Sequence, residues 1–204
     1  MGSDLIQHSI NIQKRAGEII NKLQLLSLWQ QQGGQPYIVG ALPYGLALAP
    51  DIDMEVYFEN PTITDGFEVL KSCAVNPGCV ETRFRNEMDG PDQGYYWPIR
   101  YQEAGGTLWK IDMWSMHQDH PGPTSRDMIS PMLNALDEDK RETILTLKQA
   151  LIKDAEIKCP SIFLYQAVLA DGISTFQTLK MWLQKKDTSS INDWHKWLPI
   201  INDK

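Results

Sequence analysis

The sequence predicts an α+β fold, in which a mixed sheet flanked by helices is followed by an all-helical C-terminal part. Two observations favour this fold class. Between residues 37 and 115, short apolar or alternating segments are separated by clusters of Gly, Pro, Asn and Asp, which is the pattern of strands joined by turns. After residue 120, only the helical spacing of apolar residues recurs. The predicted domains are therefore 1–120 and 121–204.

The first predicted element is a long amphipathic helix over residues 4–32, closed by the glycines at 33 and 34. Its apolar residues recur at helical spacing: Ile12, Ala16, Ile19, Leu23 and Leu26. A short strand at 37–39 follows and runs into Gly40. A second strand is predicted near 51–59, because Asn60-Pro61 stops the extended pattern there.

The remaining elements follow the same signals. A helix is predicted over 64–75, and further strands are predicted at 79–87, 94–102 and 107–115. The C-terminal part is predicted to hold helices near 137–157 and 160–172, a third that opens with a capping box of Ser174 and Gln177, and a last one around Trp194, Trp197 and Leu198.

Composition limits the classes of protein. The chain of 204 residues is 42% hydrophobic and 22% charged, as in globular proteins, and no stretch reaches the ~18 apolar residues of a membrane helix. The start lacks a secretory signal, and the three cysteines form no CxxC pair, so a cytoplasmic location without a membrane is predicted. The net charge of −7 disfavours a phosphate backbone as partner, so nucleic acid is predicted to be unlikely.

Acidic side chains alternate with apolar ones in the segment 51–58. Successive side chains of a strand point to opposite faces, so Asp51 and Asp53 share one face while Ile52 and Met54 share the other. Two carboxylates held this close repel each other, and a divalent cation between them removes the repulsion.

The strand predicted at 107–115 repeats the arrangement. Lys110 and Asp112 lie on one face, and Ile111 and Met113 on the other. If the two strands pair, three carboxylates converge, and carboxylate oxygens are the ligands that Mg²⁺ prefers. Lys110 would share that face and neutralise phosphate oxygens.

A glycine ends the first predicted strand, where backbone N–H groups can approach a ligand. Gly40, followed by Gly45, the pair Asp51 and Asp53, and the later Asp112 together resemble the ordered signature of the DNA polymerase β-like nucleotidyltransferase superfamily, particularly its small bacterial and aminoglycoside adenylyltransferase type. The resemblance covers roughly residues 37–115.

This resemblance implies a transferase that moves a nucleotidyl group from a nucleoside triphosphate, ATP being favoured, to a hydroxyl of a small-molecule acceptor. It implies that the three acids act in catalysis and hold Mg²⁺. Glu87 is the candidate general base. The nucleotide would be bound by Gly40, Ala41, Gly45 and Lys110.

Two alternatives stay open. Ala41 and Pro43 stand where that family usually has other residues, and they favour a non-catalytic nucleotidyltransferase-like module that binds a ligand or a partner. The run His117, Asp119 and His120 has metal-compatible side chains and would serve a metal-assisted hydrolase, although its spacing and the following Pro-Gly-Pro favour a polar loop.

Overall fold

The computed structural model describes residues 2–154, 156–186 and 194–198, with the backbone alone at positions 2 and 3. The described residues form seven α-helices and a six-stranded sheet, and the predicted fold class is confirmed. The chain divides into two compact units, which we call the sheet unit (residues 12–43 and 49–121) and the helical unit (residues 1–11, 44–48 and 122–204). Whether a domain boundary falls at 120 stays a prediction.

The sheet has the strand order β1-β2-β6-β5-β3, with β4 paired to β5. Its strands are β1 (Gln35–Val39), β2 (Asp51–Phe58), β3 (Cys79–Thr82), β4 (Arg85–Glu87), β5 (Gly94–Gln102) and β6 (Leu108–His117). The pair β2 and β6 is parallel, and the other pairs are antiparallel. The sheet is therefore mixed, as predicted, and its one parallel contact brings together the two strands that carry the acids.

The predicted single helix over 4–32 is wrong. The chain forms α1 (Gly2–Lys22) and then α2 (Leu25–Gln31). Gln24 between them adopts a left-handed backbone with φ of 54°, which breaks the helical hydrogen-bond series. The break lets the short helix α2 bury Trp29, whose indole donates a hydrogen bond to Met113 Sδ at 3.2 Å.

The helix α3 (Ile63–Ala74) starts at a capping box. Thr62 Oγ1 accepts from the backbone N–H of Asp65 at 3.3 Å, and Asp65 Oδ2 accepts from the N–H of Thr62 at 2.9 Å. Gly66 faces the ring of Trp97 so closely that an added Cβ would collide with it. The ring of Trp29 lies 6.1 Å from that of Phe58 and 6.4 Å from that of Trp97, and both tryptophans are fully buried.

The strand predicted over 79–87 is also wrong as a single element. It divides into β3 and β4, both paired to β5, and a register irregularity falls between Cys79 and Glu81. The bulge ends the regular alternation, so Arg83 N–H bonds the carbonyl of Pro98 at 3.0 Å and the chain begins a new pairing at Arg85.

The helical unit contains α4 (Ser125–Ala135), α5 (Glu138–Lys153), α6 (Ser161–Leu169) and α7 (Phe176–Lys185). No strand occurs among its described residues between 137 and 186. The capping box of α7 is formed by Thr175 and Thr178, not by Ser174 and Gln177. The helix predicted around Trp194 is a short 3₁₀ turn, Trp194–Lys196, and residues 187–193 and 199–204 lie outside the described part.

The segment 44–48 contacts helices of this unit. Lys148 Nζ donates to the carbonyl of Leu46 at 2.9 Å, and the rings of Tyr44 and Tyr165 meet edge-on at 6.2 Å. Within the described residues, no helix is both long and apolar enough to cross a membrane.

Candidate active site

The acids of β2 lie where the alternation predicts. Ile52, Met54 and Val56 are fully buried, which requires the residues between them to face the other side of the sheet. Asp51 and Asp53 therefore share that opposite face at the start of the strand. We call this side of the sheet the acidic face, defined by Asp51, Asp53, Lys110 and Asp112.

The register of the parallel pair fixes the acidic face. Asp53 lies directly beside Asp112, and Asp51 directly beside Lys110. Because in-register neighbours on paired strands project to the same face, the three acids and the lysine point the same way. The strands β2 and β6 pair with each other, which was the condition for the predicted site. The pairing brings together three acids from two segments that are distant in the chain.

An ion-pair network holds Lys110 among the acids. Its Nζ lies 2.5 Å from Asp112 Oδ2 and 3.6 Å from Asp51 Oδ1. Burial acts to lower the pKa of Lys110, but the hydrogen bond to Asp112 and the charges of Asp51, Asp112 and Asp53 outweigh it and raise the pKa. The lysine is therefore cationic at neutral pH. Burial raises the pKa of Asp51, against the opposing charge of Lys110.

Two further residues, both on β5, lie at the site. Arg100 lies beside Lys110 in the register of β5 and β6, with its Nη1 4.0 Å from Asp112 Oδ1. Tyr96 hydrogen-bonds Asp112 through its hydroxyl, and burial together with this bond raises the pKa of Tyr96 to about 12. Both residues lie on the same face of β5. Their spacing in the sequence identifies them as site residues only once β5 is known to pair with β6.

The ring of Tyr96 is held from two sides. It stacks on Trp114 with a centroid distance of 4.7 Å and an interplanar angle of 28°. The Arg85 guanidinium lies over the same ring, 5.1 Å from its centroid. Stacking and cation–π contacts both favour this geometry. The sandwich orients the phenol hydroxyl toward Asp112 and leaves a partly exposed aromatic pair beside the acids.

Gly40 directly follows β1 and lies beside the acidic face. Its φ is +70°, which only glycine adopts without strain, and a Cβ atom there would collide with Asp53 Oδ2. The carboxylate of Asp53 thus lies against the backbone of Gly40. Ala41 follows in the turn after β1, while Gly45 belongs to the helical unit. The nucleotide-binding roles of these residues stay predictions.

The donors on the acidic face fit a divalent cation in part. Asp51 Oδ1 and Asp112 Oδ1 are buried, and neither has a hydrogen-bond partner among the described residues. Buried carboxylate oxygens without partners suit a hard cation. In the described part of the chain, however, no three Asp, Glu, His or Cys side chains are placed together as a metal site. Ligation by all three acids stays a prediction.

The structure does not bring Glu87 to the acids. Its partner on β5 is Gly94, four residues from Pro98, which pairs with Asp112. At about 3.3 Å per residue, this places Glu87 roughly 13 Å along the sheet. Its Oε1 accepts instead from Arg85 at 2.6 Å. Its position gives no support to a role as general base.

The side chains of His117 and His120 form hydrogen bonds with backbone groups. His117 Nδ1 accepts a hydrogen bond from the N–H of Asp119 at 3.1 Å, and His120 Nε2 donates to the carbonyl of Asp92 at 3.0 Å. The run is the polar turn after β6. As stated above for the described residues, it forms no cluster that could hold a metal.

Comparisons with known proteins identify the fold. No protein-family model matches the chain. No curated protein sequence matches it either. Among solved structures, Cid1 poly(U) polymerase with MgGTP bound is similar, with a TM-score of 0.58 and 17% identity, over 78% of this chain and 50% of that one. The GLD-2/RNP-8 complex has a TM-score of 0.59 and 9% identity, over 100% and 78%.

A third similar structure is a cytoplasmic RNA terminal U-transferase, with a TM-score of 0.54 and 16% identity, over 85% of this chain and 57% of that one. The chain thus spans about half the length of the Cid1 and U-transferase structures that it matches. At these identities, the likeness shows a shared fold.

Two expectations about partners are wrong. Nucleic acid was predicted to be unlikely and a small molecule was predicted as acceptor, but the similar structures are nucleotidyltransferases that act on RNA. Net charge is a sum over the whole surface, so a value of −7 does not exclude local contacts with a nucleic acid. The mixed sheet flanked by helices matches the nucleotidyltransferase fold of these similar structures.

Proposed function

We propose that this protein transfers a nucleotidyl group from a nucleoside triphosphate to the 3′-hydroxyl of an RNA, in a Mg²⁺-dependent reaction. The observation that carries the proposal is the register of β2 and β6, which places Asp53 beside Asp112 and Asp51 beside Lys110 on one face. The likeness to RNA-acting nucleotidyltransferases supports it.

In the proposed reaction, the 3′-oxygen of the acceptor attacks the α-phosphorus of the triphosphate. The bond from that phosphorus to the bridging oxygen breaks, and pyrophosphate leaves. Asp51, Asp53 and Asp112 would hold Mg²⁺, which supplies charge stabilisation to the triphosphate and lowers the pKa of the attacking hydroxyl. The acids themselves would set the position of the reacting groups, which accounts for much of the rate in such transfers.

Other residues of the face have separate roles in this proposal. Lys110 and Arg100 provide the positive charge that phosphate oxygens require, and both are partly exposed there, with side-chain exposures of 42% and 35%. Tyr96 orients Asp112 through its hydroxyl. The partly exposed Tyr96 and Trp114 pair offers an aromatic surface on which a base of a single-stranded acceptor can stack.

The test uses the whole chain, a labelled single-stranded RNA and each of the four nucleoside triphosphates with Mg²⁺. We expect wild type to lengthen the RNA, and Asp53→Asn to lose at least about 10²-fold in rate, the loss typical when one group that stabilises transition-state charge is removed. The amide has nearly the same shape as the carboxylate, and its neutrality relieves repulsion among the acids. The thermal midpoint of unfolding should therefore not fall.

An RNA that stays unchanged with wild type in all four reactions would contradict the proposal. If wild type and Asp53→Asn then bind triphosphates equally, with and without Mg²⁺, the chain is a binding module, as Ala41 and Pro43 would favour.

A further inference from the structure

A lysine side chain stands between two carboxylates of the acidic face. The Nζ atom of Lys110 lies 2.5 Å from Asp112 Oδ2 and 3.6 Å from Asp51 Oδ1. The ammonium therefore neutralises the pair from which a divalent cation would draw its ligands.

The two acids have few other sources of compensation. Arg100 Nη1 is 4.0 Å from Asp112 Oδ1, too long for a hydrogen bond. Asp51 Oδ1 and Asp112 Oδ1 accept no hydrogen bond from any described residue. Without Lys110, the repulsion between these two partly buried carboxylates would be offset less completely, by the charge of Arg100 and by the Tyr96 hydroxyl on Asp112, and the pair would attract a dication more strongly.

An ammonium and a dication cannot both occupy this place. Charges of the same sign only a few ångströms apart repel strongly in a partly buried site. The Lys110 side chain is 42% exposed and has a flexible four-carbon stem, so it can swing away while its strand stays in place. On the acidic face, the anion that would receive it is the triphosphate of the proposed reaction.

We propose that Lys110 is the resident counter-cation of the acid pair Asp51 and Asp112, and that it exchanges with the divalent cation by moving onto the triphosphate. This inference rests on the proposed function. It makes the site weak for metal alone and strong for metal together with triphosphate. The two ligands thus become positively coupled, because each favours the same displaced position of the lysine.

The first experiment measures binding of Mn²⁺ alone, by the electron paramagnetic resonance signal of the free ion. Lys110→Met removes the competing charge and keeps a similar length. We expect this variant to bind Mn²⁺ at least 10-fold more tightly than wild type. Lys110→Gln repeats the test with a polar side chain, and thermal unfolding shows that each variant is folded.

The second experiment measures binding of the Mn²⁺ complex of α,β-methylene-ATP, which cannot transfer its nucleotidyl group. Here we expect Lys110→Met to bind at least 10-fold more weakly than wild type, because the triphosphate loses the lysine. Effects of opposite sign for metal alone and for metal with nucleotide are the signature of exchange. A lysine that only binds phosphate would change the second result and not the first.

The matched control is Lys71→Met. Lys71 lies on α3 with its Nζ 3.1 Å from Glu68 Oε2 and a side-chain exposure of 74%, so the same charge is removed away from the acids. It should change neither measurement. If Lys110→Met and Lys110→Gln bind Mn²⁺ no more tightly than wild type, the inference is overturned and the lysine is a fixed structural ion pair.

The RNA extension assay separates this failure from failure of the proposed function. Extension by wild type without tighter Mn²⁺ binding by the variants overturns the exchange alone. Tighter Mn²⁺ binding and weaker nucleotide binding by the variants, without extension, support the exchange and leave the reaction to be reassigned.

Discussion

The two faces of the strands β2 and β6 are made from alternate residues of the same two segments. On one face, Ile52, Met54, Ile111 and Met113 are each 0% exposed and lie against the helices. On the other, the side chains of Asp51 and Lys110 are about two-fifths exposed, at 40% and 42%. The first face depends on volume and apolarity, and the second on particular charges at particular register positions.

This difference separates two kinds of sensitivity. Large-to-small changes on the apolar face leave a cavity and lower the free energy of unfolding. Isosteric changes on the acidic face alter charge or one hydrogen bond, and are expected to change chemistry more than stability. Substitutions on each face test how far the separation holds.

Ile111→Ala should have the largest effect on stability. Ile111 stands between Lys110 and Asp112 in the sequence but points to the apolar face. The free energy of unfolding should fall by about 2–5 kcal/mol in urea denaturation. RNA extension per folded molecule should stay within a few-fold of wild type.

The control for that variant is Leu108→Ala on the same strand. Leu108 is 48% exposed, so its loss should change stability by only about 0.5 kcal/mol. A strong fall in extension by Ile111→Ala at unchanged stability would show that the two faces are not separable.

Gly40→Ala should lower both the free energy of unfolding and RNA extension, so the two kinds of sensitivity are not separate at this position. The left-handed backbone at Gly40 makes a side chain cost about 1–2 kcal/mol, which thermal or urea unfolding will show. The new Cβ also pushes on Asp53 Oδ2, so extension should fall beyond what the unfolded fraction explains. Gly105→Ala is the control, because nothing lies near a Cβ atom there. Full activity in Gly40→Ala would show that Asp53 does not need its present position.

Tyr96→Phe should have the smallest effect on stability. The ring keeps its stack on Trp114, and only the hydroxyl that bonds Asp112 is lost. Extension should fall about 10-fold, the equivalent of one hydrogen bond to a charged group, while the unfolding free energy changes by less than about 1 kcal/mol. Tyr95→Phe, at the neighbouring position facing the other side of β5, should leave extension unchanged. Equal results for the two variants would remove the positioning role of Tyr96.

The two parts of the chain also differ in how well the sequence predicted them. The strands β2 and β5 and the helix α3 were predicted to within one residue, because apolar alternation and turn clusters such as Asn60-Pro61 and Asn76-Pro77-Gly78 are local signals. The break at Gln24 was missed, since apolar spacing continues through it while a single residue takes a left-handed backbone. The division of 79–87 into β3 and β4 was missed because the bulge depends on the pairing with β5.

By itself, the sequence determined which residues share a face of each strand, because side-chain alternation is a property of the extended backbone. It thereby placed Asp51 with Asp53, and Lys110 with Asp112. Only the tertiary structure decided that these two pairs lie side by side, that Tyr96 reaches Asp112, and that Glu87 does not approach the acids. Strand order and register depend on the packing of the whole sheet, which brings together residues far apart in the chain and leaves no local pattern to read.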